Sequence, residues 1–284
     1  MAEFKGSNVA IVTPFKAGEL DLEAFAALVE WQIERGTAGI VVCGTTGEAA
    51  TLRTEEKERL TRCALEVANR RVPVVVGTGT NATWSSVDLT RAAVGWGAEG
   101  LLVVTPYYNK PTQRGLFEHF KAVAEASGGV PVIAYDVPGR TGVTLAEETV
   151  HALAKVPGIV ALKDATHDVE RAGRLARETS LTVLSGDDGL TVPMIREGAK
   201  GVVSVAANVI PKRMAQLCGG EDLALHEGLQ PFFRALFVES NPIPVKWALA
   251  RMGRIENELR LPLTTLSPES ESTVEGALRA VGAL

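Results

Sequence analysis

Lys163 closes an apolar run, Ile159 to Leu162, and is followed at once by Asp164, in the stretch P-G-I-V-A-L-K-D-A-T from Pro157 to Thr166. A short apolar run after a Pro-Gly pair reads as a strand buried on both faces. A lysine at the end of such a strand is costly unless it pairs or has its pKa lowered, and a lowered pKa makes a nucleophilic amine. The plainer alternative is a lysine that snorkels out into a surface salt bridge. Other residues bear on the choice. Tyr135 closes a second apolar run, Thr45 and Thr46 sit between Gly44 and Gly47, and Arg140 follows Pro138-Gly139. A phenol can relay protons to and from a carbinolamine. Glycine-flanked threonines offer backbone N–H groups and hydroxyls that suit a small carboxylate, and an arginine can take a second carboxylate bidentately. Together these point to Schiff-base chemistry on a 2-oxo acid, followed by carbon–carbon bond formation or cleavage. No metal or organic cofactor is needed, because the lysine is itself the electron sink.

Competing chemistries find little support. His119, His151, His167 and His226 show no metal-ligand spacing. There is no G-x-S-x-G elbow, and Gly77-Thr78-Gly79 lacks the lysine of a phosphate-binding loop. The charge run from Glu55 to Arg62 reads as a solvated helix face.

The elements that must position these residues repeat along the chain. Apolar, β-rich runs occur at Asn8 to Val12, Gly39 to Cys43, Pro73 to Thr78, Gly100 to Val104, Pro131 to Tyr135, Ile159 to Lys163, Thr182 to Ser185 and Gly201 to Val205. Helical patterns lie between them. Asp21 is placed to cap a helix with Leu22, Phe25, Val29 and Ile33 on one face and Gly36 as its stop, and Thr54 is expected to cap the next, with Glu55 and Glu56 in its first turn. Eight near-continuous apolar strands, each with a helix behind it, describe a closed parallel (β/α)8 barrel, an α/β fold of the TIM-barrel type. A doubly wound open sheet is the alternative, but no dinucleotide fingerprint follows the first strand. In such a barrel the site is built where strands end, which gathers Thr45, Thr46, Tyr108, Tyr135, Arg140, Lys163 and Gly186. The barrel is expected over 1–222. A C-terminal three-helix segment is expected over 223–284, from Glu221 to Phe237, Pro244 to Met252 and Pro268 to Val281, packed against the barrel.

Composition narrows the class. Of 284 residues, 46% are hydrophobic and 22% charged, as in a soluble globular protein. A net charge of -5 gives no basic patch, so no nucleic acid partner is expected. No apolar run reaches the roughly 18 residues of a membrane span, and no signal-peptide pattern opens the chain. Cys43, Cys63 and Cys218 are too few and scattered for a disulfide framework, which places the chain in a reducing compartment, the cytoplasm.

Gly44-T-T-G-Glu48, the segment Y-D-V-P-G-R-T-G from Tyr135 to Gly142, and Lys163 in its L-K-D-A-T setting resemble the dihydrodipicolinate synthase family of class I pyruvate-dependent aldolases. The resemblance extends over essentially the whole chain, including F-V-E-S-N-P-I-P-V-K-W from Phe237 to Trp247 and L-R-L-P-L from Leu259 to Leu263. It implies that Lys163 forms the Schiff base with pyruvate. Tyr135, Thr45 and Tyr108 are implied as a proton relay, with Tyr108 reaching into a neighbouring subunit's site. Thr46 is implied to hold the pyruvate carboxylate and Arg140 that of aspartate 4-semialdehyde, while Gly186 and Val203 line the pyruvate pocket through their backbones. A homotetramer built as a dimer of dimers follows from the same resemblance. Sibling aldolases, N-acetylneuraminate lyase and 2-keto-3-deoxy sugar acid aldolases, share the lysine and tyrosine; Arg140 and the threonine pair favour the semialdehyde reaction. Asp136 stands where the family usually has asparagine, on the strand face expected to point away from the site. Relatives inhibited by lysine bind it in a dimer-interface pocket that corresponds here to Ala49, Ala50, Thr54, Lys57, Asn81, Ser85 and Tyr107. With Lys57 and Ser85 at those positions, inhibition is expected to be weak or absent.

Overall fold

The computed structural model describes residues 4–220 and 222–284. Among the described residues, eight parallel strands close into a barrel: β1 Gly6–Ala10, β2 Gly39–Val42, β3 Val74–Gly77, β4 Gly100–Val104, β5 Val132–Asp136, β6 Ile159–Asp164, β7 Thr182–Ser185 and β8 Gly201–Ser204. Each pairs with its successor, and β1 closes the ring by pairing with β8 as well as β2. The eight strands are those read from the apolar runs, with ends displaced by one or two residues. At Ile11 and Val12 the apolar run outlasts the strand, because hydrophobicity marks burial and not where a neighbour's ladder stops. A two-stranded hairpin, Phe15–Lys16 with Glu19–Leu20, was not legible from the pattern.

Two apolar layers result from the alternation of side chains along each strand. Ala10, Val41, Val75, Leu102, Ile133, Ala161, Leu184 and Val203 fill the barrel interior, with Phe4 among them. Val9, Ile40, Val74, Leu101, Ala134, Leu162, Val183 and Val202 face outward and pack under the helices. Fully burying each valine, leucine or isoleucine among them stabilises by about 1.5–3 kcal/mol.

Helices start where short polar side chains satisfy free N–H groups. The Leu22–Glu34 helix is capped as expected, Asp21 Oδ1 accepting from the Ala24 N–H at 2.9 Å. The Thr54–Ala68 helix differs. Thr54 lies inside it and Arg53 occupies the cap, where its N–H donates to Glu56 Oε2 at 2.8 Å. A glutamate three positions on can serve the cap backbone, so the threonine is not needed for that task.

After the barrel come helices Pro211–Gly220, Leu223–Ala235, Ile243–Arg251 and Pro268–Ala280. Glu221, the expected start of the first tail helix, lies outside the described residues. No described helix is long and apolar enough to cross a membrane. Cys43, Cys63 and Cys218 are all free thiols.

Candidate active site

A cavity of about 580 Å³ opens at the C-terminal ends of the strands, and Thr45, Thr46, Tyr135, Arg140, Lys163 and Gly186 all line it. Register explains the meeting of two of them. β5 and β6 pair Tyr135 with Lys163, so the residues at equal height on neighbouring strands both point inward. The Lys163 Nζ lies 4.1 Å from the Tyr135 ring centroid. Gly186 keeps the lysine's approach open, since a Cβ there would sit 3.2 Å from Lys163 Cε and 2.7 Å from Ala165 Cβ.

Lys163 is buried, not snorkelled to the surface. Burial pulls its ammonium pKa down to about 7, with Asp188 opposing and Arg140 assisting. The amine is therefore part neutral at physiological pH, which a nucleophile requires. Burial pushes the Tyr135 phenol up to about 12, against the influence of the Arg140 cation and a hydrogen bond with the Thr45 hydroxyl. The phenol stays protonated and is a donor. Asp188, whose charge bears on the lysine, is pushed up to about 6 by burial, against hydrogen bonds that include the Ser204 hydroxyl and the Ala206 N–H.

The threonine loop is held from both sides. Cys43 and Glu48 bracket Gly44 to Gly47, and both have positive φ, 54° each. Non-glycine residues keep such backbones only where the surroundings over-determine them. Thr13 Oγ1 donates to the Gly47 carbonyl at 2.7 Å. From the tail, Asn241 Nδ2 donates to Thr46 Oγ1 at 3.0 Å, and the Asn241 carbonyl accepts from Arg140 Nη2 at 3.2 Å. One asparagine thus ties together the two side chains expected to hold carboxylates.

In the sequence Asn241 stands out only as part of a proline-rich breaker. Its amide among prolines, in a segment shared with relatives, is the signal that could have found it. Gln230, Phe233, Arg234 and Phe237 of the tail also line the cavity, and His167 Nδ1 pairs with Asp187 Oδ2 at 3.0 Å at the mouth. These contacts join positions too distant in sequence for spacing to reveal.

Tyr108 stands apart. It is 88% exposed with φ of 77° and does not line the cavity of its own chain. Val203 lies in the barrel interior, while Val205 from the following turn lines the cavity.

The chain's relatives have the same architecture. The model of the dihydrodipicolinate synthetase family matches residues 3–281. The chain belongs to that family. A 4-hydroxy-tetrahydrodipicolinate synthase of Thermodesulfovibrio yellowstonii is 47% identical over 288 residues, 98% of this chain and 99% of the relative. That of Marinobacter nauticus is 50% identical over 289 residues, with coverage of 98% and 99%. Among solved structures of the dihydrodipicolinate synthetase family, the chloride-inhibited enzyme of Acinetobacter baumannii complexed with pyruvate superposes with a TM-score of 0.96. It is 46% identical and covers 99% of each chain.

Proposed function

We propose that the chain condenses pyruvate with aspartate 4-semialdehyde, forming 4-hydroxy-tetrahydrodipicolinate in the diaminopimelate and lysine pathway. The observation that carries this reading is the buried Lys163 amine, 4.1 Å from the Tyr135 ring in a cavity shared with Thr46 and Arg140.

Lys163 Nζ adds to C2 of pyruvate, and the carbinolamine loses water as the imine forms. Tyr135 delivers and recovers the protons of these steps, backed by Thr45 and by Tyr108 of a second copy. Loss of a C3 proton gives an enamine, whose carbon attacks the aldehyde of the second substrate; the resulting alkoxide takes up a proton. The product's own amine then attacks the imine carbon, closing the ring and returning Lys163 as free amine. The imine is the electron sink throughout, so the chemistry draws on no metal or organic cofactor. Thr46 holds the pyruvate carboxylate, Arg140 that of the semialdehyde, and the backbones of Gly186 and Val203 border the pyruvate. Residues 1–222 carry the chemistry and residues 223–284 cover the site, contributing Asn241. The exposed Tyr108 supports contact with a second copy, the family resemblance extends this to a dimer of dimers, and three free cysteines fit a cytoplasmic location.

The test is borohydride reduction in the presence of pyruvate, followed by mass spectrometry and by turnover assays. An adduct on Lys163 with turnover of aspartate 4-semialdehyde is expected. An adduct accompanied by turnover of only N-acetylneuraminate or a 2-keto-3-deoxy sugar acid would assign a sibling reaction, and no adduct on Lys163 would refute the mechanism.

A further inference from the structure

Directly behind the reactive pair lies a second, polar pair. Strand register places Asp136 opposite Asp164, one position beyond Tyr135 and Lys163. Alternation turns these two carboxylates outward, under the helix Val169–Glu178, whose Arg171 is buried between them. Arg171 Nη2 donates to Asp136 Oδ2 at 3.0 Å and to the Leu145 carbonyl at 2.8 Å, while Nη1 bonds Asp164 Oδ2. Each carboxylate is also fixed locally. Asp136 Oδ2 accepts from Thr144 Oγ1 at 2.9 Å and the Leu145 N–H at 3.0 Å; Asp164 Oδ1 accepts from Thr166 Oγ1 at 2.6 Å and the Thr166 N–H at 2.9 Å.

We infer that Arg171 is a positioning residue: its guanidinium clamps β5 to β6 from outside and thereby sets the approach of Lys163 to Tyr135 inside the barrel. A planar fork suits this task, because its two ends can bond two strands at fixed separation. The clamp acts on residues adjacent in the chain to the reactive ones, so any slippage of one strand against the other is transmitted to the Nζ–phenol contact. Misplacement of reacting groups by about 1 Å can cost about a hundredfold in rate. The inference rests on the Schiff-base reading for its catalytic consequence, but the positional claim stands on geometry.

The experiment therefore has one arm that needs no substrate. The titration of Lys163 is followed by NMR of lysine-labelled protein, assigned with Lys163→Arg. In wild type its midpoint is expected near 7. In Arg171→Lys, which keeps the charge and loses the fork, the loosened pocket should move it up by about half a pH unit or more. The second arm is the rate of borohydride-trapped adduct formation at saturating pyruvate, expected to fall about tenfold or more with little change in the pyruvate concentration for half-saturation. Asp136→Asn keeps an acceptor for the fork and should leave the midpoint within about 0.3 pH unit and the trapping rate within about twofold of wild type. If Arg171→Lys does not fold, the triple variant Arg171→Met, Asp136→Asn, Asp164→Asn removes all three charges together and should show the same two changes. An unchanged midpoint and trapping rate in a folded clamp variant, even one with a lowered Tm, would overturn the inference. A wild type that shows the titration but traps no pyruvate would refute the proposed reaction and leave the positional claim to be judged on the first arm.

Discussion

Glu48 and Lys246 meet at 2.6 Å with neither side chain exposed, although 198 positions separate them in sequence. The second carboxylate oxygen of Glu48 accepts the Arg260 N–H at 3.1 Å, and Arg260 also forks onto Glu56 at 2.6 and 2.7 Å. The Phe15 ring has Lys246 and Arg260 above it, 4.3 and 4.4 Å from its centroid. A buried ion pair of this kind gives little net stability over an apolar pair, but breaking it on one side leaves an uncompensated charge. Lys246→Met alone is expected to lower stability by about 3–5 kcal/mol, and addition of Glu48→Gln to recover much of that loss. Denaturant unfolding of the two variants measures this. A double variant no more stable than the single one would show that the pair does not act as a unit.

That anchor marks a limit of what the sequence discloses. The eight strands were legible because near-continuous apolar runs at regular spacing suit a parallel sheet covered by helices, and their number suits a closed one; Lys163 and Tyr135 were legible because each closes such a run. Asn241, Lys246 and Arg171 were not, because their roles depend on partners that only the closed barrel brings near. Asp136 lay between. Alternation alone placed it on the outer face, but nothing in the local pattern named Arg171 as what it would meet.

The Lys163 amine sets a pH dependence. With its pKa lowered to about 7, roughly half of it is neutral at pH 7. An unperturbed lysine would be neutral to only about one part in three thousand. The rate of adduct formation with pyruvate is expected to rise as pH increases through about 7 and to level off above about 8. Stopped-flow trapping across pH measures it. A rate still climbing steeply near pH 10 would mean that the amine is not perturbed.

Asp136 gives a stability prediction with a definite sign. Burial raises its carboxyl from the ordinary 3.8 to about 6, outweighing the opposing attraction of Arg171. The folded protein therefore holds this proton more tightly than the unfolded chain does, and the ionised form weakens the fold above about pH 6. The Oδ1 atom is buried without a hydrogen-bond partner, which adds to the cost of the ionised form. Asp136→Asn is expected to raise stability by about 1–3 kcal/mol near pH 8, with the advantage shrinking as pH falls from about 6 towards 4. Thermal unfolding across that range checks it. An asparagine variant less stable than wild type at pH 8 would show that the Arg171 attraction outweighs desolvation.

Arg140 separates the two half-reactions. It lines the cavity with its Nη2 on the Asn241 carbonyl, leaving other donors for a substrate carboxylate. Arg140→Ala is expected to reduce turnover with the semialdehyde tens-fold or more, from a loss of about 2–5 kcal/mol, while pyruvate adduct formation falls far less. Equal damage to both steps would assign Arg140 a structural role.

Free lysine is expected to inhibit this chain weakly or not at all. In the pocket corresponding to that of lysine-sensitive relatives, Lys57 is half-buried, and burial lowers its pKa from the ordinary lysine value. The family resemblance places Ser85 where lysine-sensitive relatives usually carry glutamate, which could pair with a ligand amine. Of the other positions implied for that pocket, the Asn81 carbonyl accepts from Asn109 Nδ2 at 2.9 Å and Tyr107 is part exposed. Its charge does not suit the ligand. A cation facing a cationic ligand costs about 1–4 kcal/mol in a partly screened site, and about 1.4 kcal/mol already weakens binding tenfold. Lys57→His with Ser85→Glu removes the repulsion and restores an acid, and is expected to confer inhibition on an otherwise insensitive chain. Titration with lysine near pH 8, at pyruvate close to its KM, decides the matter. Half-inhibition of the wild type by lysine below about 1 mM would mean that Lys57 swings clear of the ligand and that the pocket's affinity survives the exchange of charges.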